Sequence, residues 1–142
     1  MAIAITHQLL WKTTGCLLKN ILAYGENHYN TSTPGSEHAE ICALKQLRTM
    51  SRRSKHLKSI DLIVIRITNG SKLGVSKMCE KCVIGAATIP QKYGYRIRNV
   101  IYSNEHGGFT KVKLAELVHS SDNYISKFYR TSGYKSCLCK HH

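Results

Sequence analysis

The chain has 142 residues, 42% of them hydrophobic, a normal single-domain length with apolar material for one core. Lys and Arg number 21 against 8 Asp and Glu, a formal net charge of +13. That imbalance exceeds what solubility requires and points to a polyanionic or phosphorylated partner or an acidic protein surface, the plain alternative being a basic surface with no dedicated partner. No apolar run approaches the roughly 20 residues of a membrane span, and the opening MAIAITHQLLWKTTG has neither a basic n-region nor a small-residue cleavage site. An intracellular protein is expected, cytoplasmic, nuclear or virion-associated. Its six cysteines are then thiols or metal ligands rather than a disulfide framework.

In chain order, residues 2–12 read as a short helix with Ile5, Leu9 and Leu10 inward. Residues 15–24, GCLLKNILAY, hold two apolar runs around Lys19-Asn20, and Asn at a tight connection predicts a hairpin. GENHYNTSTPGS is a polar loop ended by Pro34-Gly35. From Glu37 the pattern is helical: Ile41, Leu44 and Leu47 recur at three-residue steps, with Ser36 placed as the N-cap. DLIVIRIT, 61–68, is a strand apolar enough to be central in a sheet. KLGVSK, 72–77, is a shorter strand after the Asn69-Gly70 turn. CEKCVIGAATI, 79–89, is a helix beginning at Cys79, with Val83, Ile84 and Ala87 inward. RIRNVIYS, 96–103, is the next strand, and TKVKLAELVHS, 110–120, a last helix. This order predicts a three-layer α/β sandwich. It forms one domain over residues 1–130, followed by a basic tail, 131–142, that contains Cys and His.

Two short motifs carry the chemistry. His38 and Glu40 flank Ala39 at the start of one helix, where residues two apart point in different directions and cannot form a core pair. Cys79 and Cys82 are spaced C-x-x-C at the start of another, where unpartnered N–H groups and the helix dipole favour thiolate. Two such thiolates either bind a metal ion or form a redox pair. One imidazole nitrogen with two thiolates gives three protein ligands, which leaves zinc a fourth place for water, a catalytic arrangement. Glu40, beside that place, can take a proton and deliver it elsewhere. A lone C-x-x-C is often incidental and a lone His-Ala-Glu is worth little. Together, in this order, they match the zinc-deaminase signature H-x-E…P-C-x-x-C.

From about Gly15 to Asn104, and most firmly in HAEICALKQL and MCEKCVIGAAT, the chain resembles the cytidine deaminase-like superfamily. It looks like the His-Ala-Glu members: deoxycytidylate, tRNA adenosine and guanine deaminases. The resemblance implies an α/β/α sandwich in which the Glu-bearing and Cys-bearing helices lie side by side under a central five-stranded mixed sheet. It implies a Zn2+ cofactor on His38, Cys79 and Cys82, with Glu40 as the catalytic proton shuttle. YGEN, 24–27, falls where the family ends its second strand with an Asn that contacts the substrate's sugar or base, which makes Asn27 the implied substrate-binding residue. The chain departs from the family twice. Met78 stands where the family has a Pro that stiffens the ligand-bearing turn. An additional basic segment, KQLRTMSRRSKHLKS, 45–59, contains Lys45, Arg48, Arg52, Arg53, Lys55 and Lys58. Such a run is ordinarily a solvated helix face. With the overall charge, Arg48, Arg52, Arg53 and Lys55 are candidates for phosphate or nucleic-acid contact.

Other features are weaker. Cys42, four residues after His38, is either a buried thiol or a stray ligand. The terminal CLCKHH has a metal-binding composition, but such ends are usually incidental. YGYRIR, 93–98, and YISKFYR, 124–130, interleave aromatics and cations that can stack on bases, although tyrosines beside strands more often belong to core and rim. The expectation is hydrolytic deamination of an aminated base in a nucleotide of the dCMP or cytidine type or in single-stranded nucleic acid. A free nucleotide needs a small phosphate pocket, which a homo-oligomer can help to close. The alternative is a deaminase-fold protein without activity, serving as a basic nucleic-acid-associated or virion component. A redox dithiol protein comes third, since it has no use for His38-Ala39-Glu40.

Overall fold

The computed structural model describes residues 2–12, 15–29, 36–48, 55–123 and 125. The elements run β1 (Ala2–Lys12), β2 (Gly15–Glu26), β3 (His28–Tyr29), β4 (Ser36–Glu37), α1 (Ala39–Lys45), β5 (Lys58–Ile67), β6 (Leu73–Gly74), α2 (Glu80–Thr88), a 3-10 turn (Pro90–Tyr93), β7 (Tyr95–Ser103), β8 (Phe109–Lys113) and α3 (Leu114–His119).

The fold is α/β with a mixed open sheet in the order β2-β1-β5-β7-β8, and β6 pairs alongside β5. Strand β1 is antiparallel to both β2 and β5, β8 is antiparallel to β7, and β5 and β7 run parallel. The parallel pair requires a crossover, and α2 supplies it. Strand β5 is central because Ile60, Leu62, Ile63 and Val64 are all buried. Ile60, Leu62 and Val64 join Tyr95, Ile97 and Val100 of β7 in the main core. Each such side chain contributes about 1.5–3 kcal/mol on burial. Helix α1 packs on β1 and β2, α2 on α1 and β7, and α3 on α2, β7 and β8. The described helices therefore form one layer against one face of the sheet; the second helical layer of a sandwich is not among the described residues. None of them is long and apolar enough to cross a membrane.

Several expected elements differ. Residues 2–12 are not a helix but strand β1, whose partners are β2 and β5. No hairpin turns at Lys19-Asn20: residues 15–26 are one strand, which pairs antiparallel with β1 from Lys12↔Gly15 to Ala2↔Glu26. Residues 72–77 keep strand pairing only at Leu73–Gly74. The sequence 110–120 divides. Phe109–Lys113 alternate exposed and half-buried as β8 against β7, and only Leu114–His119 are helical. Strand pairing overrides local helical spacing in β1 and β8. On α2, Val83 is buried as expected, while Gly85 and Ala86 are more deeply buried than Ile84 and Ala87. The tail, 131–142, lies outside the described residues.

Candidate metal centre

The centre forms where α1 and α2 begin side by side. His38 is the N-cap of α1 in extended backbone (φ −71°, ψ 147°), and Cys79 is the N-cap of α2 in nearly the same conformation (φ −77°, ψ 162°). Each opens its helix by accepting the first intrahelical bond: the Cys42 amide donates to the His38 carbonyl and the Val83 amide to the Cys79 carbonyl, both at 3.0 Å. Ser36, expected as the cap, instead lies in β4 opposite Tyr29. Neither N-cap side chain caps its own helix, which leaves both for other work. Asn27 takes over for α1: its Oδ1 accepts the Ala39 amide at 2.8 Å.

Helix α1 is seated by backbone contact. A Cβ on Gly25 would stand 2.4 Å from the Ala43 nitrogen and 2.5 Å from the Ala39 oxygen. Only glycine lets β2 and α1 approach so closely. At Gly85 of α2 the tip of the Ile41 side chain, Cδ1, fills the space a Cβ would take, 2.4 Å away.

The Cys-bearing loop is seated by hydrogen bonds. Ser76 is buried; its hydroxyl donates to the Val64 carbonyl (2.7 Å), accepts the Ser103 amide (2.9 Å) and lies 2.8 Å from the Ser103 hydroxyl. Ser103, fully buried, donates to the Gly74 carbonyl at 2.6 Å and accepts the Arg66 amide at 3.1 Å. The two serines join the loop to the ends of β5 and β7. Met78 is 1% exposed and sits in the main core, so packing fixes the turn that a Pro would otherwise stiffen.

His38 Nδ1 lies 3.4 Å from Cys79 Sγ and 3.3 Å from Cys82 Sγ, and the three ligand atoms all lie within 4.8 Å of one another. Zn–S and Zn–N bonds at a tetrahedral angle would hold nitrogen and sulfur about 3.5 Å apart. The group is close enough to hold a metal ion, and its soft sulfur and imidazole donors suit zinc. It contains three protein donors among the described residues. A hydrogen bond from the Cys82 thiol, aided by His38, pulls Cys79 down to about 4. Cys82 is correspondingly held up, because its proton serves Cys79 and burial adds to the effect. The bond with Cys79 also raises His38.

Glu40 is 4% exposed, and its Oε2 has no hydrogen-bond partner among the described residues. Burial raises its pKa. A buried carboxylate oxygen left unpaired is costly and marks a place where a ligand or water belongs. Glu40 shares a cleft of about 130 Å³ with His38, Asn27, Arg66, Val75 and Lys77. A cavity of roughly 150 Å³ in an engineered protein interior takes up benzene, so one six-membered ring is of the right size.

The other sequence candidates fall elsewhere. Cys42 is a buried thiol that accepts from Gln46 Nε2 at 3.3 Å and is not part of the ligand group. Arg48 and Lys55 are exposed and do not line the cleft, Lys45 pairs with Glu37, and Arg52 and Arg53 lie outside the described residues. Tyr95 is in the core with Tyr93 packed against it, which is the structural rather than the base-stacking reading. Residues 126–130 also lie outside the described residues. Arg66, Ser76 and Lys77 were not singled out by the sequence; each is an ordinary residue in a strand or loop until the fold brings it to the cleft. No protein-family model, curated protein or solved structure matches the chain.

Proposed function

We propose that this protein is a zinc-dependent hydrolytic deaminase, acting on an aminated nucleobase carried by a nucleotide or a single-stranded nucleic acid, on a cytidine deaminase-like five-stranded sandwich. The observation that carries the reading is Glu40: a buried carboxyl with an unpaired oxygen, in the same cleft as a ligand of a three-donor His-Cys-Cys group. Zinc, when bound, supplies a Lewis acid that brings the pKa of the water in its fourth place toward about 7.

The remaining work falls to the chain. Glu40 accepts the proton of the attacking water, hands it to the ring nitrogen beside the amino-bearing carbon, and assists ammonia to leave. Burial raises its pKa, which makes its carboxylate a stronger base toward that proton. Asn27 spends its oxygen on the Ala39 amide and retains its NH2 to hold the substrate's sugar or base. Val75 lines the same cleft and gives a flat base an apolar wall.

The deciding experiment follows ammonia release from cytosine, adenine and guanine nucleosides and nucleotides, alongside metal content. Wild type should carry one zinc per chain and deaminate one of these bases. Glu40→Gln should keep the zinc and bind substrate, with kcat lower by about 10²–10⁴-fold or more. Cys79→Ala should lose stoichiometric zinc, because two ligands remain. An active Glu40→Gln protein overturns the shuttle, and full zinc in Cys79→Ala overturns the ligand set. A zinc-replete wild type inert on every base leaves the alternative of a basic scaffold.

A further inference from the structure

We infer that Arg66 and Lys77 form an anion subsite at the mouth of the Glu40 cleft, which takes the phosphate of a phosphorylated nucleoside. The nucleoside part of that ligand rests on the deaminase reading; the phosphate part rests on the two cations.

Both residues line the cleft. The Arg66 side chain is exposed, and its guanidinium has no hydrogen bond or ion pair among the described residues. Two arginines of the neighbouring strand differ: Arg96 Nε donates to Ser59 Oγ at 3.0 Å, and Arg98 faces Asp61 at 3.8 Å. Lys77 is half-buried. Among the described residues its ammonium has only a long bond, 3.4 Å, to the backbone carbonyl of Asp122 and no ion pair. The cleft thus sets two cations against the single carboxyl of Glu40.

The position of Arg66 is fixed rather than incidental. Its amide is held by the buried Ser103 hydroxyl and its backbone pairs with Gly74. A Cβ on Gly74 would stand 3.3 Å from Arg66 Cδ and 3.5 Å from its Cγ, so the arginine stem lies across the glycine. The same Ser76–Ser103 pair that anchors the cysteine loop therefore also anchors Arg66. The cysteine ligands and the anion subsite share one support. Arginine offers a planar fork matched to phosphate oxygens, and lysine adds a mobile point charge. With a ring in the cleft, the phosphate of the same molecule meets both at the rim.

The test is a set of calorimetric titrations on the zinc-loaded Glu40→Gln protein, which does not consume the probes, with and without Arg66→Ala or Arg66→Lys. The probes are cytidine, CMP, adenosine, AMP and a short mixed-sequence single-stranded oligonucleotide. At least one phosphorylated probe should bind about tenfold or more tightly than its nucleoside. Arg66→Ala should remove that advantage and leave nucleoside binding unchanged, and Arg66→Lys should keep part of it. A response confined to the monophosphates makes the ligand a free nucleotide, and one confined to the oligonucleotide makes it a polymer. Equal binding of phosphorylated and plain probes, no binding of either, or an advantage untouched by Arg66→Ala overturns the subsite. Arg66-dependent phosphate binding in a protein whose wild type releases no ammonia would keep the subsite and remove the deaminase reading. Deamination indifferent to the phosphate would do the reverse.

Discussion

The two halves of the centre are held by different physics. The His38 half rests on contact between backbones: Gly25 gives α1 its seat on β2, and the Asn27 side chain ties the first amide of the helix to the end of that strand. The cysteine half rests on satisfied hydrogen bonds: Ser76 and Ser103 fasten the loop between β5 and β7, and Met78 plugs the core beneath it. A steric seat has no room for an added atom, because neither backbone can withdraw without moving its element. A polar clasp tolerates small shifts but leaves groups unpaired when a member is lost. The halves should therefore fail in different ways.

The largest stability effect is expected at the steric seat. Gly25→Ala places a methyl within 2.8 Å of three backbone atoms of α1, which should cost about 3 kcal/mol or more. Because α1 carries His38, zinc affinity should fall with stability. Urea unfolding with and without zinc checks both, and an unchanged midpoint would mean that β2 and α1 do not meet here. Ser103→Ala should cost less, about 1–3 kcal/mol. It strips the Gly74 carbonyl and the Arg66 amide of their partner, and the loosened loop should exchange zinc faster in a chelator chase.

The smallest effect sharpens the comparison most. Asn27→Ala removes only the cap on Ala39, a loss of about 1 kcal/mol. Asn27→Asp keeps an acceptor, so thermal unfolding should stay close to wild type. If the amide NH2 also holds substrate, KM for the deaminated nucleoside should rise in both variants. A rise in neither leaves Asn27 a cap alone.

What the sequence displayed divides along the same line. His38, Cys79 and Cys82 were legible as a group because imidazole and thiolate are donors that suit zinc, and the fold brings them close enough to hold a metal ion. Strand β5 was legible because continuous burial from Ile60 to Val64 leaves an apolar run, and β7 because buried and exposed residues alternate along its first half. The parts settled by pairing across the chain were not. Ile5, Leu9 and Leu10 fit a helical step as well as a strand, and the strand forms because β1 pairs with β2 on one side and, over Ala2–Thr6, with β5 on the other. Lys111, Val112 and Lys113 alternate as a strand does, yet they run directly into a helical stretch. Gly25, Ser76 and Ser103 are unremarkable until the atoms they meet, many residues away, are known.

The spacing of the ligands has a topological consequence. His38 and Cys79 are 41 positions apart, and Cys82 lies 44 from His38. A metal that joins them closes the chain into a ring, with the central strand β5 inside it. The β1–β2 hairpin hangs from one side of that ring, and β7, β8 and α3 hang from the other. A covalent bridge over a loop of this size lowers the entropy of the unfolded chain by an amount worth about 4 kcal/mol. The metal would then act as a removable cross-link, and apo and loaded protein would unfold from different denatured ensembles.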